Sequence, residues 1–408
     1  MAGGNGLAPV ASSERYVILD ALRGFALLGI CMANFPEFSL FTFLKPEAAA
    51  ALPTAEADRV ARFLLYVFVD GKFYTLFSLL FGMGFSIIIS NAMKKGVDGF
   101  RIFYRRMAVL AGIGALHLMF IWSGDILMLY ALMGMLLPLF CRLPDRKLLA
   151  WAFALLLLPV GIDGVCEALR VYPAGGVVRL QQACCAKYGI TDDNFAYWLR
   201  DAGSYREVFQ FLVQGALVRV QEFIDGNRYF KVLGLFLIGF YLGRRRVYAG
   251  LGQHRRWLAR VFRYGVVVGL PLSLVYAWSS MSQHPWGLTV HSALYFVSVY
   301  PLGFAYAAGL CLLFLRRKEW RMWKYFASPG RMALTNYIGQ SVIGMVLFYG
   351  IGLGWGADMG LVYTELVVAA VYLFQILFSR LWLSGFRFGP LEWIWRMLTY
   401  GKCFKIRL

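Results

Sequence analysis

A helix needs about twenty apolar residues to cross the hydrocarbon core of a bilayer, because it rises about 1.5 Å per residue and the core is about 30 Å thick. Such runs occupy most of this chain. Ten spans are read, at roughly 17–35, 64–92, 107–122, 126–141, 148–166, 229–243, 264–280, 292–315, 333–351 and 362–383. No water is available inside the core, so a spanning backbone must satisfy its own hydrogen bonds, and the runs predict an all-α polytopic helix bundle. Composition agrees: of 408 residues 60% are hydrophobic and 15% charged, against about 25% charged in soluble proteins. The first span carries an Arg within its apolar stretch and lacks a small-residue cleavage pattern, so it is expected to stay in the protein rather than serve as a signal peptide.

The net charge of +19 does not predict nucleic-acid binding, because the basic residues are sorted along the chain. With the N-terminus inside, Arg15 and segments 93–106, 142–147, 244–263, 316–331 and 384–408 hold 27 of the 41 Lys and Arg residues. The opposite side holds 10, seven of them in one long loop. This asymmetry places both termini in the cytoplasm and assigns the basic charge to anionic lipid head groups of the bilayer.

One membrane domain covers residues 1–408, with two appendages. The extracytoplasmic loop 167–228 contains a Thr191–Asn194 turn and, from Tyr205 to Phe223, helically spaced apolar residues that suit a surface helix or a lid over a cavity. The cytoplasmic tail 384–408 mixes Trp393, Trp395 and Tyr400 with Arg387, Arg396 and Lys402, the composition of an interfacial helix. The seven cysteines show no metal spacing, and no metal site is expected; a disulfide from Cys184 or Cys185 to a distant partner stays open. Close helix packing is expected at Gly82 and Gly84, and along Ala108, Gly112 and Ala115.

Ionisable residues within membrane spans are costly and usually functional. In the first span Asp20, Arg23 and Asn34 fall within about 60° of one another around the helix, forming one polar stripe. His117 lies about one turn below the outer surface, and Asp125 follows eight residues later, after the Ser123-Gly124 turn. Alone, Asp125 reads as a helix-capping carboxylate. Across the hairpin it would also reach His117 and fix its tautomer, as a general-base pair requires.

Asp70-Gly71-Lys72 looks like a broken start to the second span, with Lys72 either binding an anion or reaching to the interface. Glu365 stands in an apolar run and is expected to face the bundle interior. Ser328-Pro329 reads as the start of the ninth span, in which Thr335, Asn336, Gln340 and Ser341 are unusually polar. For Asn336 and Gln340, a role in joining helices and a role in a site stand side by side.

Taken in order, RYVILDALRGFALLGICMANF, DGKFYTLFSLLFGMGF, the hairpin from Arg105 to Gly134, GRMALTNYIGQS and GPLEWIWRMLTYG resemble the YeiB-like family of bacterial multispanning proteins, defined by a domain of unknown function. The resemblance runs over residues 15–402 and implies a bacterial inner-membrane location. Through the first-span Arg-Gly motif, that family is distantly similar to transmembrane acyltransferases, including heparan-glucosaminide N-acetyltransferase. Those enzymes carry an acyl group from cytoplasmic acyl-CoA to an acceptor across the membrane, using a membrane-embedded His.

The implied roles are His117 as base with Asp125 orienting it, and Asp20, Arg23, Asn34, Lys72, Asn336, Gln340 and Glu365 as substrate-binding residues. The donor would be acyl-CoA or acetyl-CoA, and the acceptor an envelope glycan, lipid or small amine. A competing reading is a transporter in which Asp20, Arg23, Glu365 and His117 line a solute or proton path. Association into homo-oligomers is left open.

Overall fold

The computed structural model describes residues 16–408, almost entirely as helices, with one isolated antiparallel bridge between Phe386 and Arg407. We number the principal helices α1 (Val17–Phe38), α2 (Ala55–Phe68), α3 (Lys72–Lys94), α4 (Gly99–Phe120) and α5 (Leu127–Gly134). There follow α6 (Asp145–Leu169), α7 (Gly175–Tyr188), α8 (Tyr205–Asp225), α9 (Arg228–Arg244) and α10 (Arg255–Met281). The last five are α11 (Gly287–Arg316), α12 (Met322–Arg331), α13 (Ala333–Phe348), α14 (Leu361–Gly385) and α15 (Pro390–Tyr400).

The chain is a polytopic helical membrane bundle. Seven helical segments among the described residues are long and apolar enough to cross a membrane, counting α2 and α3 as one broken segment of 40 residues. Two apolar helical segments, Leu127–Phe140 and α13, are shorter. Helix α9 has only 17 residues, yet every residue from Val232 to Phe240 is buried. A helix apolar on all sides belongs at the centre of a bundle, and here it lies between α3 and α6.

The core closes through glycines where backbones touch. A side chain at Gly330 would collide with the Asp20 carbonyl, and one at Gly24 with the Phe326 carbonyl, so α1 and α12 meet backbone to backbone. Gly82 faces the Phe236 carbonyl and Gly239 faces the Leu79 carbonyl, which brings α3 against α9 in the same way. Gly84 and Gly112, expected to share in close packing, meet nothing within 4 Å; Gly114 takes that part in α4, against the Met128 amide.

The break between α2 and α3 falls at the expected place. Gly71 adopts φ +72, a left-handed conformation favourable only to glycine, and Tyr295 and Val299 fill the space that a side chain would need.

The ninth span begins differently from the expectation. Ser328 and Pro329 lie in the last turn of α12, and α13 starts after a break at Met332. Its first amides are satisfied from a distant segment: Glu392 of α15 accepts from the Leu334 and Thr335 amides at 2.7 and 3.1 Å. Helix α14 is capped likewise by Asp58, which accepts the Val362 amide at 2.9 Å. Buried helix starts need such acceptors, because their amides have no water.

The segment between α6 and α9 folds as α7 and α8 with a short helical turn, Trp198–Asp201, between them. Helix α8 begins with a capping box at Ser204 and Glu207, packs on α7 and lies across the end of α4, where the Tyr205 hydroxyl donates to the Phe120 carbonyl at 2.7 Å. It therefore covers the bundle end that carries Phe38, Phe120 and Phe348. At the opposite end α15 docks on the start of α4, where Trp395 Nε1 donates to the Arg106 carbonyl at 3.0 Å. All seven cysteines are unbridged, so neither Cys184 nor Cys185 forms a disulfide.

Two outcomes are expected. Gly330→Val, which forces α1 and α12 apart, lowers stability by about 2 kcal/mol as an overpacked contact does, seen as a fall in the unfolding midpoint in detergent, whereas Gly84→Ala leaves the midpoint unchanged or raised. In intact cells a membrane-impermeant maleimide labels Cys184 beside the α8 end and spares Cys403 at the α15 end; the reverse pattern would invert the topology.

Candidate functional site

Three buried side chains meet where α4, α5 and α13 converge. The last turn of α4 closes on the His117 carbonyl, which accepts the amides of Ile121 and Trp122 at 3.0 and 2.8 Å. That turn sends the chain back toward α5 and places Asp125 beside the imidazole. Asp125 Oδ2 accepts the Met128 amide at 2.8 Å, and Oδ1 lies 2.9 Å from His117 Nδ1. The carboxylate thus caps α5 and holds the histidine at once. The third member comes from α13, whose Ser341 Oγ lies 2.9 Å from His117 Nε2. All three are 1% exposed. The rings of Trp122 and Tyr337 flank the imidazole, with centroids 6.1 and 5.4 Å away.

Beside this chain, under α8, is a small cavity of about 30 Å³, lined by Glu37, Ser123, Phe211, Gln214, Arg219 and Glu222 among others. Arg219 is its organising charge. It donates to the Ser123 carbonyl at 2.9 Å, pairs with Glu222, and approaches Glu37 at 3.6 Å. Trp122 connects the two regions, its ring 4.4 Å from that of Phe38 and 5.9 Å from the Arg219 guanidinium.

At the α15 end, Asp20 and Arg23 form an ion pair at 2.8 Å, with Asp20 buried and Arg23 partly open. The Arg106 guanidinium stacks on Trp395 at 3.6 Å, within electrostatic reach of both Arg23 and Arg396. Arg106 and His117 are eleven residues apart on one helix, about 16 Å at 1.5 Å per residue. Asn34 lies a similar distance from Arg23 along α1 and is half-buried.

Asn336 and Gln340 join two helices. The Asn336 amide donates to Ser379 at 2.9 Å, Gln340 donates to Gln375 at 2.9 Å, and Gln375 donates back to the Asn336 carbonyl at 2.8 Å. The ladder pins α13 to α14, which fixes the height at which Ser341 meets His117. Gln340 Oε1 has no hydrogen-bond partner, and neither does either carboxylate oxygen of Glu365, which faces the interior as expected.

Lys72 neither reaches the interface nor stands beside His117. It is fully buried at the α2–α3 break, donating to the Tyr66 carbonyl at 2.6 Å, because Gly71 turns its stem inward. Around it is a second polar cluster, in which Tyr276 donates to Asp70 at 2.6 Å and Lys231 lies 4.1 Å from the Tyr295 ring. Asp163 completes it, taking hydrogen bonds from Asn227 and Ser292.

The structure therefore brings together His117 and Asp125 and adds Ser341, whereas Asp20 and Arg23 belong to the opposite end and Lys72 to a separate cluster. Sequence reasoning missed Ser341 as a site residue, and missed Glu37 and Arg219. The polarity of the ninth span was the available signal for Ser341. Glu37 is hidden by its place at the end of an apolar helix, and Arg219 by the amphipathic pattern of α8.

Comparison with known proteins finds relatives across the whole length. A family model described as a protein of unknown function, DUF418, matches residues 242–402, which include Ser341. The chain is similar to YxaH of Bacillus subtilis, with 29% identity over 97% of this chain and 96% of the relative. It is likewise similar to YeiB of Escherichia coli, with 30% identity over 95% and 96%. A 39.9 kDa protein encoded beside an amylase in Bacillus acidopullulyticus is 29% identical over 98% of both chains.

Removing one member of a buried hydrogen-bonded pair strands the other. His117→Ala is expected to cost about 3–5 kcal/mol by leaving Asp125 unpaired, and Asp125→Ala added to it restores part of that loss. Unfolding midpoints of the two single variants and the double variant measure the coupling.

Proposed function

The chain belongs to the YeiB-like family of bacterial membrane proteins, and we propose that it is a transmembrane acyltransferase of the bacterial cytoplasmic membrane. It takes the acyl group of cytoplasmic acyl-CoA and passes it to a hydroxyl or amine of an envelope glycan, lipid or small molecule. The observation that carries this reading is the buried Asp125–His117–Ser341 hydrogen-bond chain. A carboxylate that fixes the Nδ1 proton of a histidine leaves Nε2 as a base, and that is the machinery of acyl transfer.

Charge at the other end supports a two-sided site. Arg23, Arg106 and Arg396 cluster where the phosphates of CoA would arrive from the cytoplasm. The separation of about 16 Å between Arg106 and His117 is one that an extended pantetheine arm spans. Arg219 and Glu37 lie on the far side of the histidine, where an acceptor with hydroxyl or amine groups would find hydrogen-bond partners. Within this scheme Asn336 and Gln340 position Ser341, and Lys72 and Glu365 stand outside the reacting centre.

The test uses the full-length protein in liposomes with radiolabelled acetyl-CoA and an envelope extract as acceptor pool. Label is expected to pass to the extract with release of CoA, and His117→Ala lowers the rate on the order of 10³-fold. Arg23→Gln raises KM for acetyl-CoA about tenfold with kcat preserved, as the loss of one phosphate contact does. Solute uptake that depends on Glu365, with no CoA released, would overturn the proposal in favour of transport.

A further inference from the structure

The proton positions around His117 follow from its partners. Asp125 has one oxygen committed to the Met128 amide and the other at 2.9 Å from His117 Nδ1, so the Nδ1 proton points to the carboxylate. In a neutral imidazole with Nδ1 protonated, Nε2 can only accept. The group 2.9 Å from Nε2 is the Ser341 hydroxyl, which must therefore donate its proton to the histidine. Both ring nitrogens are thus engaged, and an acceptor molecule cannot reach the base directly while Ser341 holds Nε2.

A second observation points to the same atom. The Tyr337 hydroxyl is buried with the Ile126 amide directed at its oxygen, and its own proton has no acceptor. Tyr337 lies one helical turn before Ser341, so the two share a face of α13, and its ring sits 5.4 Å from that of His117. Buried hydroxyls are nearly always bonded, and an O–H donor left unused beside a histidine-bound serine is the arrangement that receives a developing oxyanion.

We propose that Ser341 is the nucleophile and carries the acyl group as an ester between two half-reactions; this rests on the acyl-transfer reading of the same site. In the first half-reaction Ser341 Oγ bonds to the thioester carbonyl carbon as its proton moves to His117 Nε2. Tyr337 donates to the carbonyl oxygen while it bears negative charge. The carbon–sulfur bond then breaks, and CoA leaves as the thiol with the proton from Nε2. In the second, an acceptor hydroxyl or amine attacks the ester carbon and gives its proton to Nε2. The ester bond breaks, and Ser341 recovers the proton. No oxidant or further reactant enters, and CoA departs before the acceptor is engaged.

The experiment uses full-length protein in detergent with radiolabelled acetyl-CoA and no acceptor. About one acetyl group per chain is expected on the peptide containing Ser341, stable at neutral pH and released by alkaline hydroxylamine as an oxygen ester is. Ser341→Ala removes that label and lowers transfer on the order of 10³-fold or more. Ser341→Cys, which preserves the size of the side chain, holds the acetyl group as a thioester released by hydroxylamine at neutral pH. A fluorophosphonate probe modifies Ser341 in the wild type and not in His117→Ala, a readout independent of CoA.

CoA release and transfer that persist in a folded Ser341→Ala protein would overturn the ester and leave acyl transfer standing. CoA release with the acetyl group found on His117 would overturn Ser341 as the carrier. Absence of CoA release from every variant would overturn the acyl-transfer reading and the ester with it.

Discussion

Inside a bilayer a polar group has no water to return to, and this condition governs where every polar side chain of the bundle is placed. An unsatisfied amide or carboxylate in hydrocarbon costs several kcal/mol, so most are answered by the protein itself, Glu365 and Gln340 Oε1 being exceptions. The bundle meets that demand locally where its helices are long. Where helices start with buried amides, side chains meet it: Asp125, three residues ahead, for α5, and the distant Glu392 and Asp58 for α13 and α14. Glu392 draws α15 onto α13, Asp58 draws α2 onto α14, and Asp125 joins the α5 start to His117 of α4.

The candidate site is a consequence of those breaks. Helix α4 ends one turn after His117, and α5 runs for only eight residues, so the hairpin between them stays within the body of the protein. Asp125 is held at the α5 start because amides there need an acceptor, and the same position puts its second oxygen on the imidazole. Helix α13 is set by Glu392 at its beginning and by the Asn336–Gln375–Gln340 ladder along its side. Ser341 reaches His117 only because both restraints fix the helix in depth and rotation. The polar residues that do no chemistry thus set the geometry of those assigned to it.

Local pattern revealed the helical membrane bundle, the Gly71 break and the His117–Asp125 pairing, because apolar run length, turn chemistry and an eight-residue hairpin are all short-range properties; of the ten spans read, seven helical segments among the described residues are long and apolar enough to cross. What escaped was long-range. Ser341 is 224 residues from His117, and Glu392 is 57 from Thr335. A polar residue in an apolar span announces a partner without naming it, so Asn336, Gln340 and Ser341 looked alike in sequence although two of them join helices and the third meets the histidine. Lys72 was misjudged for a related reason. Its neighbours in sequence suggested a membrane edge, yet the turn at Gly71 folds its stem inward onto the Tyr66 carbonyl. Gly84 and Gly112 show the same limit, since a small residue permits close packing but does not supply the opposing helix.

The two polar clusters of the bundle each hold a buried hydroxyl with an unspent proton, Tyr337 in one and Tyr300 in the other, and differ in what their charged groups are bonded to. Around Lys72 the ammonium has its carbonyl, Asp70 has the Tyr276 hydroxyl, and Asp163 has both Asn227 and Ser292. Those bonds hold the α2–α3 break against α9, α10 and α11, and such paired groups are costly to disturb. At His117 the bonds run in one direction, from serine hydroxyl to imidazole to carboxylate, and they lie beside a tyrosine hydroxyl whose proton has no acceptor. A serine hydroxyl on an imidazole that a carboxylate orients is what the proposed acyl transfer would need, and the Lys72 cluster offers no such chain.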